Sequence, residues 1–200
     1  GSRTDVAARL TMMPSDGLEY YVFGQATVQR RGGIAENNRL GVGATYRFAK
    51  NWTAEAELSD GSLGLAGQAI LTHQTDGYDS TYFGYRLTPG RDFSGVTLNG
   101  RDQGQFVVGA KRRVSDDVDV YGENTYDMFG THKSLTSAYG VKYRASEQLT
   151  FHAALEVGKI RDPGGDFDRR GVSLGLRYAD TDRLTAKAKL ELRRDGCVIA

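Results

Sequence analysis

A period of two runs through almost the whole chain, and no other feature limits its fold so strongly. From Leu18 to Val28 the even positions Leu18, Tyr20, Val22, Gly24, Ala26 and Val28 are apolar or small. Their neighbours Glu19, Tyr21, Gln25, Thr27 and Gln29 are largely polar. The same period governs 40–48, 52–59, 135–143, 149–157, 172–178 and 184–192. Successive side chains of a strand point to opposite faces, so this pattern predicts strands with one apolar and one polar face. A helical stripe at i, i+3, i+4 is sustained nowhere. The chain reads as all-β.

The alternation predicts about twelve strands, near 5–13, 18–30, 38–48, 52–60, 63–74, 79–87, 104–114, 118–128, 134–144, 148–160, 169–178 and 183–193. Most approach the roughly 9–11 residues with which a tilted strand crosses a bilayer. Their links are too short for crossovers, so an antiparallel up-and-down meander is expected. Tight turns are expected at 14–17, 49–51, 76–78, 115–117, 145–147 and 179–182. Longer, Gly-rich links are expected at 31–37, 88–103, 129–133 and 161–168, with a short one near Gly61 and Ser62. Short turns at one end and long loops at the other are the habit of transmembrane β-barrels.

Register follows from the turns. Three-residue turns would pair Phe48 with Trp52, Val114 with Val118 and Arg144 with Gln148, which keeps like faces together. Tyr46, Phe48, Trp52, Tyr143 and Tyr178 then fall near the short-turn ends, as an interfacial girdle would. The first strand would run towards the short turns and the last away from them. A closed bacterial barrel has both termini on the short-turn side, so residues 1–200 are expected to be a single segment of a larger barrel, with strands missing at each end.

Composition removes other classes. Lys and Arg number 26 against 25 Asp and Glu, which gives no overall pull towards nucleic acid. One Cys among 200 residues excludes a disulfide framework or a Cys-built zinc site. Gly is abundant, at 26 residues, and Pro scarce, at 3. There is no P-loop, no dinucleotide fingerprint and no basic–aromatic patch, so neither a cofactor nor a nucleic-acid partner is expected.

The runs Gly100-Arg101-Asp102-Gln103-Gly104, 107–114 (Val-Val-Gly-Ala-Lys-Arg-Arg-Val) and 121–130 (Tyr-Gly-Glu-Asn-Thr-Tyr-Asp-Met-Phe-Gly) stand out, as do Gly165-Asp166-Phe167-Asp168-Arg169 and Ser173-Leu174-Gly175-Leu176. With Ser134-Leu135-Thr136 and Tyr139-Gly140-Val141 they resemble the barrel region of large outer-membrane surface proteins of alphaproteobacteria, labelled outer-membrane-protein-A-like or receptor-like. The resemblance covers about residues 20 to 194. It implies an outer-membrane location in a longer parent chain, and carries no catalytic residues. In such a parent the partners would be outer-membrane lipid and the barrel-assembly machinery. Gly196-Cys197-Val198-Ile199-Ala200 departs from the pattern.

The candidate functional residues are the charges of the polar face: Glu55, Glu57, Lys111, Arg113, Asp119, Glu123, Lys142, Arg144, Glu156, Arg177, Lys187 and Lys189. They would line a lumen that selects small solutes, or brace the interior as cross-strand ion pairs of roughly 0.2–1 kcal/mol each. Mixed signs on neighbouring strands favour bracing. His152, on the same face, could serve as a general base, but no G-x-S-x-G motif and no spaced acidic partner accompany it. Asp162, Asp166 and Asp168 alternate in a Gly-rich loop, which reads as solvated surface rather than a calcium loop. Cys197 to Ala200 matches the loose prenylation pattern and reads as a chain end. The expected function is a non-enzymatic barrel segment acting as pore or membrane anchor. The alternatives are a soluble or secreted β-sheet binding module and, third, a barrel enzyme using His152.

Overall fold

The computed structural model describes residues 2–33, 35–89, 92–93, 96–97, 103–180 and 184–197. Within these the chain is all-β, with no α-helix. The strands are β1 (Ser2–Ser15), β2 (Leu18–Arg31), β3 (Arg39–Ala49), β4 (Trp52–Gly61), β5 (Ala66–Asp76), β6 (Asp79–Leu87), β7 (Asp92–Phe93) and β8 (Val96–Thr97). Then come β9 (Gly104–Ser115), β10 (Val118–Asp127), β11 (Lys133–Arg144), β12 (Leu149–Asp162), β13 (Gly165–Asp180) and β14 (Leu184–Cys197). Twelve of them form one antiparallel meander in chain order, from β1 to β14, and the sheet does not close on itself. The small β7–β8 hairpin stands apart from it; alternation had given no sign of it, since two-residue strands carry no period.

The chain divides into two compact units, residues 1–73 with 83–106, and residues 74–82 with 107–200. In the first unit Leu18 pairs with Tyr46, Val22 with Val42, and Tyr46 in turn with Ala54. The apolar positions therefore share one face, as the alternation requires. A bulge sets Ala49, not Phe48, opposite Trp52. The aromatic rings cluster there: Phe48 stacks on Trp52, and Trp52 meets His73 at 4.6 Å between ring centroids. Gly17 closes the β1–β2 turn at a φ of 90°, a conformation open to glycine, and its carbonyl accepts from Arg47 N–H at 2.7 Å.

In the second unit four strands line up their apolar positions in rows. Tyr139, Leu155, Val172 and Leu192 are directly opposed, then Val141, Ala153, Leu174 and Leu190, then Tyr143, Phe151, Leu176 and Ala188. Leu149, Tyr178 and Ala186 complete the set.

Two expectations need correction here. The β11–β12 connection is longer than three residues: Ala145 and Ser146 N–H groups both donate to Leu149 O, and Arg144 pairs with Thr150 instead of Gln148. A shift of two residues keeps every side chain on its face, which is why the pattern could not reveal it. Residues 161–168 are not a long loop. β12 and β13 continue to a turn at Pro163-Gly164, where Asp162 pairs with Gly165. Asp162 Oδ1 accepts the Gly164 N–H at 2.7 Å, Gly165 takes a φ of 129°, and Arg161 bonds Asp166 across the hairpin. Pro and Gly there mark a tight turn, not a loop. Of the other expected connections, 88–103 and 179–182 lie partly outside the described residues.

The burial is inverted relative to an ordinary sheet. Leu40 is 72% exposed, Leu192 66% and Leu10 59%, all on the apolar face. The polar face holds buried Tyr21, Ser59, Asp119 and Asp127.

Candidate functional site

The polar face of the second unit is built in the same rows. Asp119, Lys142, His152, Gly175 and Lys189 are successive cross-strand partners. One row nearer the long connections come Tyr121, Gly140, Ala154, Ser173 and Glu191, and beyond them Glu123, Ala138, Glu156 and Gly171. Towards the short turns lies a row of Arg144, Thr150, Arg177 and Lys187.

Asp119 is the hub of this arrangement. It is 6% exposed, and its two oxygens take Arg113 Nε at 3.1 Å and Lys142 Nζ at 3.4 Å. The Arg113 guanidinium lies 3.1 Å above the centre of the Tyr78 ring, and its backbone N–H donates to Asp79. A carboxylate between two cations, one of them held over an aromatic face, is bound from several sides. Arg144 reaches the Asp116 carbonyl at 3.2 Å, Arg169 pairs with Glu156 at 3.6 Å, and Lys189 pairs with Glu191 on its own strand at 2.6 Å.

A second device recurs on this face in both units. In the first, Tyr21 lies against Gly43, directly opposite it, and its hydroxyl donates to Glu57 at 2.5 Å on the next strand. Gly43 and Glu57 are themselves cross-strand partners, so the three residues form a single row. A Cβ at Gly43 would collide with the phenol ring. The Arg9 guanidinium lies 3.5 Å from the centre of that ring and bonds Glu19. In the second unit Tyr82 crosses Gly109 to donate to Glu123 at 2.5 Å, and Tyr121 lies over Gly140. Glycine leaves the groove in which an aromatic side chain can lie flat across the sheet.

The predicted polar-face residues are thus distributed as follows. Glu57 and Glu123 each accept from a tyrosine, Glu55 accepts from Gln68 at 2.6 Å, and Arg113, Asp119 and Lys142 form the hub. Arg144, Glu156 and Lys189 have the partners given above. Lys111 and Arg177 make no ion pair among the described residues, and the Lys187 side chain lies outside them. Five of these twelve charges, Arg113, Asp119, Lys142, Glu156 and Lys189, stand in ion pairs, while Glu55, Glu57, Glu123 and Arg144 hydrogen-bond neutral groups. His152 sits between Lys142 and Gly175. Among the described residues no three His, Cys, Asp or Glu side chains gather as metal ligands. Asp162 and Asp166 are already engaged by Gly164 and Arg161. Residues 198–200 lie outside the described residues.

The tyrosines are the polar-face residues that single-strand patterning missed. Their signal was the excess of glycine on polar-face positions, opposite Tyr or Phe, and it becomes visible only once strands are paired. No protein-family model matches this chain, and no curated protein matches it either.

Proposed function

We propose that this chain is a segment of a bacterial outer-membrane β-barrel, non-enzymatic, acting as a pore or as the membrane anchor of a larger surface protein. The inverted burial carries the reading. A water-soluble sheet with one apolar face packs that face against a core. Here whole rows of Tyr, Leu, Val and Phe are exposed, and the buried strand side chains, Ser59, Asp119 and Asp127 with Tyr21, Val107 and Ile160, belong to the opposite, polar face. A hydrocarbon solvent on the apolar side accounts for both.

Dimensions agree. Leu18 to Val28 on β2 covers about 34 Å along the strand at about 3.4 Å per residue. A tilt of about 40° reduces this to about 26 Å, close to the roughly 25 Å apolar band of such barrels. Exposed Tyr46, Phe48 and Tyr143 sit towards the short-turn ends, where an aromatic girdle is expected. The resemblance to alphaproteobacterial surface proteins points to the same membrane. On this reading the polar face is the interior, and its ion-pair networks brace it while admitting small solutes. Outer-membrane lipid and the barrel-assembly machinery are the partners.

The test is to fractionate cells carrying the native gene product and compare its gel mobility with and without boiling. Outer-membrane recovery with a boiling-dependent shift is expected. Recovery as a soluble protein without a shift overturns the proposal and leaves a soluble or secreted β-sheet module, with the apolar face as its binding surface.

A further inference from the structure

We propose that the apolar side of β11–β14, at the edge of its exposed rows, binds the phosphate-bearing headgroup of a membrane lipid whose acyl chains lie along those rows. This rests on the membrane reading above. Below the edge the rows are uncharged, from Tyr139, Leu155, Val172 and Leu192 downwards. The next row towards the Pro163-Gly164 turn holds Ser137, Val157, Arg170 and Arg194, then Leu135, Lys159 and Asp168, then Lys133, Arg161 and Asp166. The change from apolar to basic occurs within one row.

Two observations point to an anion. Arg170 and Arg194 are directly opposite each other on adjacent strands, both exposed. Like charges in that position repel, and an anion between them converts the repulsion into two charge-assisted hydrogen bonds. Four cations, Lys133, Lys159, Arg170 and Arg194, also lack a carboxylate within ion-pair distance among the described residues. Arg161, by contrast, is satisfied by Asp166 through bonds of 3.0 and 3.2 Å. A groove of about 500 Å³ adjoins this patch, lined by Lys133, Lys159 and Arg161, by the carboxylates Asp127, Asp166 and Asp168, and by apolar side chains. The ligand chemistry is a net-anionic phosphate diester with two apolar chains and no headgroup cation to offset the phosphate: the guanidinium pair takes the phosphate, and the rows below take the chains. A free phosphate would leave those rows bare.

The experiment uses the full chain in a non-ionic detergent, with phosphatidylglycerol or phosphatidylcholine added and lipid retention read by native mass spectrometry. Phosphatidylglycerol is expected to be retained preferentially, and excess inorganic phosphate not to displace it. Arg170→Gln with Arg194→Gln should reduce the preference, by about fivefold for each cation lost. Lys159→Gln alone should reduce it similarly, and Arg161→Gln much less. Circular dichroism of each variant establishes that the sheet is intact. Equal retention of the two lipids, or a preference that survives the double substitution, overturns the proposal; so does displacement by inorganic phosphate, which would make the site one for the free anion. If the chain inserts into phosphatidylcholine vesicles yet shows no lipid preference, this site falls and the membrane reading stands. A chain that remains soluble without detergent and retains neither lipid removes both.

Discussion

Gly43 stands directly opposite Tyr21, and the tyrosine ring occupies the space where a side chain at Gly43 would be. Gly43→Ala therefore has to lift the ring, which also breaks its bond to Glu57. Overpacking of this kind costs about 1–3 kcal/mol. Gly140→Ala, beneath Tyr121, should behave alike. Gly77→Ala, which meets nothing within 4 Å, should stay within about 0.5 kcal/mol of the parent. Denaturant unfolding followed by the fluorescence of Trp52, the single tryptophan, measures the first substitution in its own unit. Equal midpoints for the Gly43 and Gly77 variants would show that the ring is not wedged there.

The hydroxyl can be separated from the ring. Tyr21→Phe keeps the ring on Gly43 and removes only the bond to Glu57, a loss of about 1.5–3 kcal/mol for a hydrogen bond to a charged group. Once that hydroxyl is gone, Glu57→Gln should add little. A double-mutant cycle over the two positions measures the coupling, and strictly additive losses would dismiss the bond as a contributor.

Asp119 holds Arg113 and Lys142 together, so Asp119→Asn leaves two cations facing each other on the polar face. We expect a loss of about 1–3 kcal/mol, the cost of leaving partners of a nearly buried group unmatched. Lys142→Met should cost less, because Arg113 remains on the carboxylate. If the order of the two is reversed in a urea titration, Asp119 is not the hub.

How much of this was legible in the sequence depends on the distance over which a signal acts. Alternation within one strand, as from Leu18 to Val28, places side chains on faces without knowledge of the partner. It supplied the apolar face, the polar face and nearly every strand. Register at β11–β12 was out of reach, because Arg144 opposite Thr150 or opposite Gln148 gives the same faces. The choice is made by the bonds that Ala145 and Ser146 donate to Leu149 O. The Pro163-Gly164 turn was misread because composition does not say how many residues a Gly-rich link uses. Tyr21, Gly43 and Glu57 come from three strands, and their row exists only after pairing. The like-charged pair Arg170 and Arg194 was hidden for the same reason.

The Arg161–Asp166 pair lies beyond the apolar rows, in water at the turn end of the hairpin. The Arg161 guanidinium, through its hydrogen bonds, holds the Asp166 carboxyl below its ordinary value. A depressed carboxyl contributes stability above its unfolded value of about 3.9, and that contribution disappears as pH falls through the lower folded value. A carbon NMR titration should find the Asp166 midpoint below that of an unpaired aspartate, and Arg161→Gln should raise it. Identical midpoints in the two proteins would mean that the pair does not persist in solution.

The two readings of the apolar face make different demands on a charge placed there. In a membrane the cost of an arginine depends on depth: about 2–4 kcal/mol at the midplane and about 0–1 near the interface. Leu174 and Leu190 are directly opposed within the apolar rows, whereas Val157 shares its row with Arg170 and Arg194 at the basic edge. Leu174→Arg should therefore destabilise the folded chain far more than Val157→Arg in lipid or detergent. A photoreactive probe dissolved in the lipid phase should label position 174 strongly and Lys133, three rows beyond the apolar set, hardly at all. In a soluble sheet the same two arginines would differ only by local packing, and both sites are open. Equal costs at positions 174 and 157, with no lipid-phase labelling at either, would turn the apolar face into a protein-binding surface.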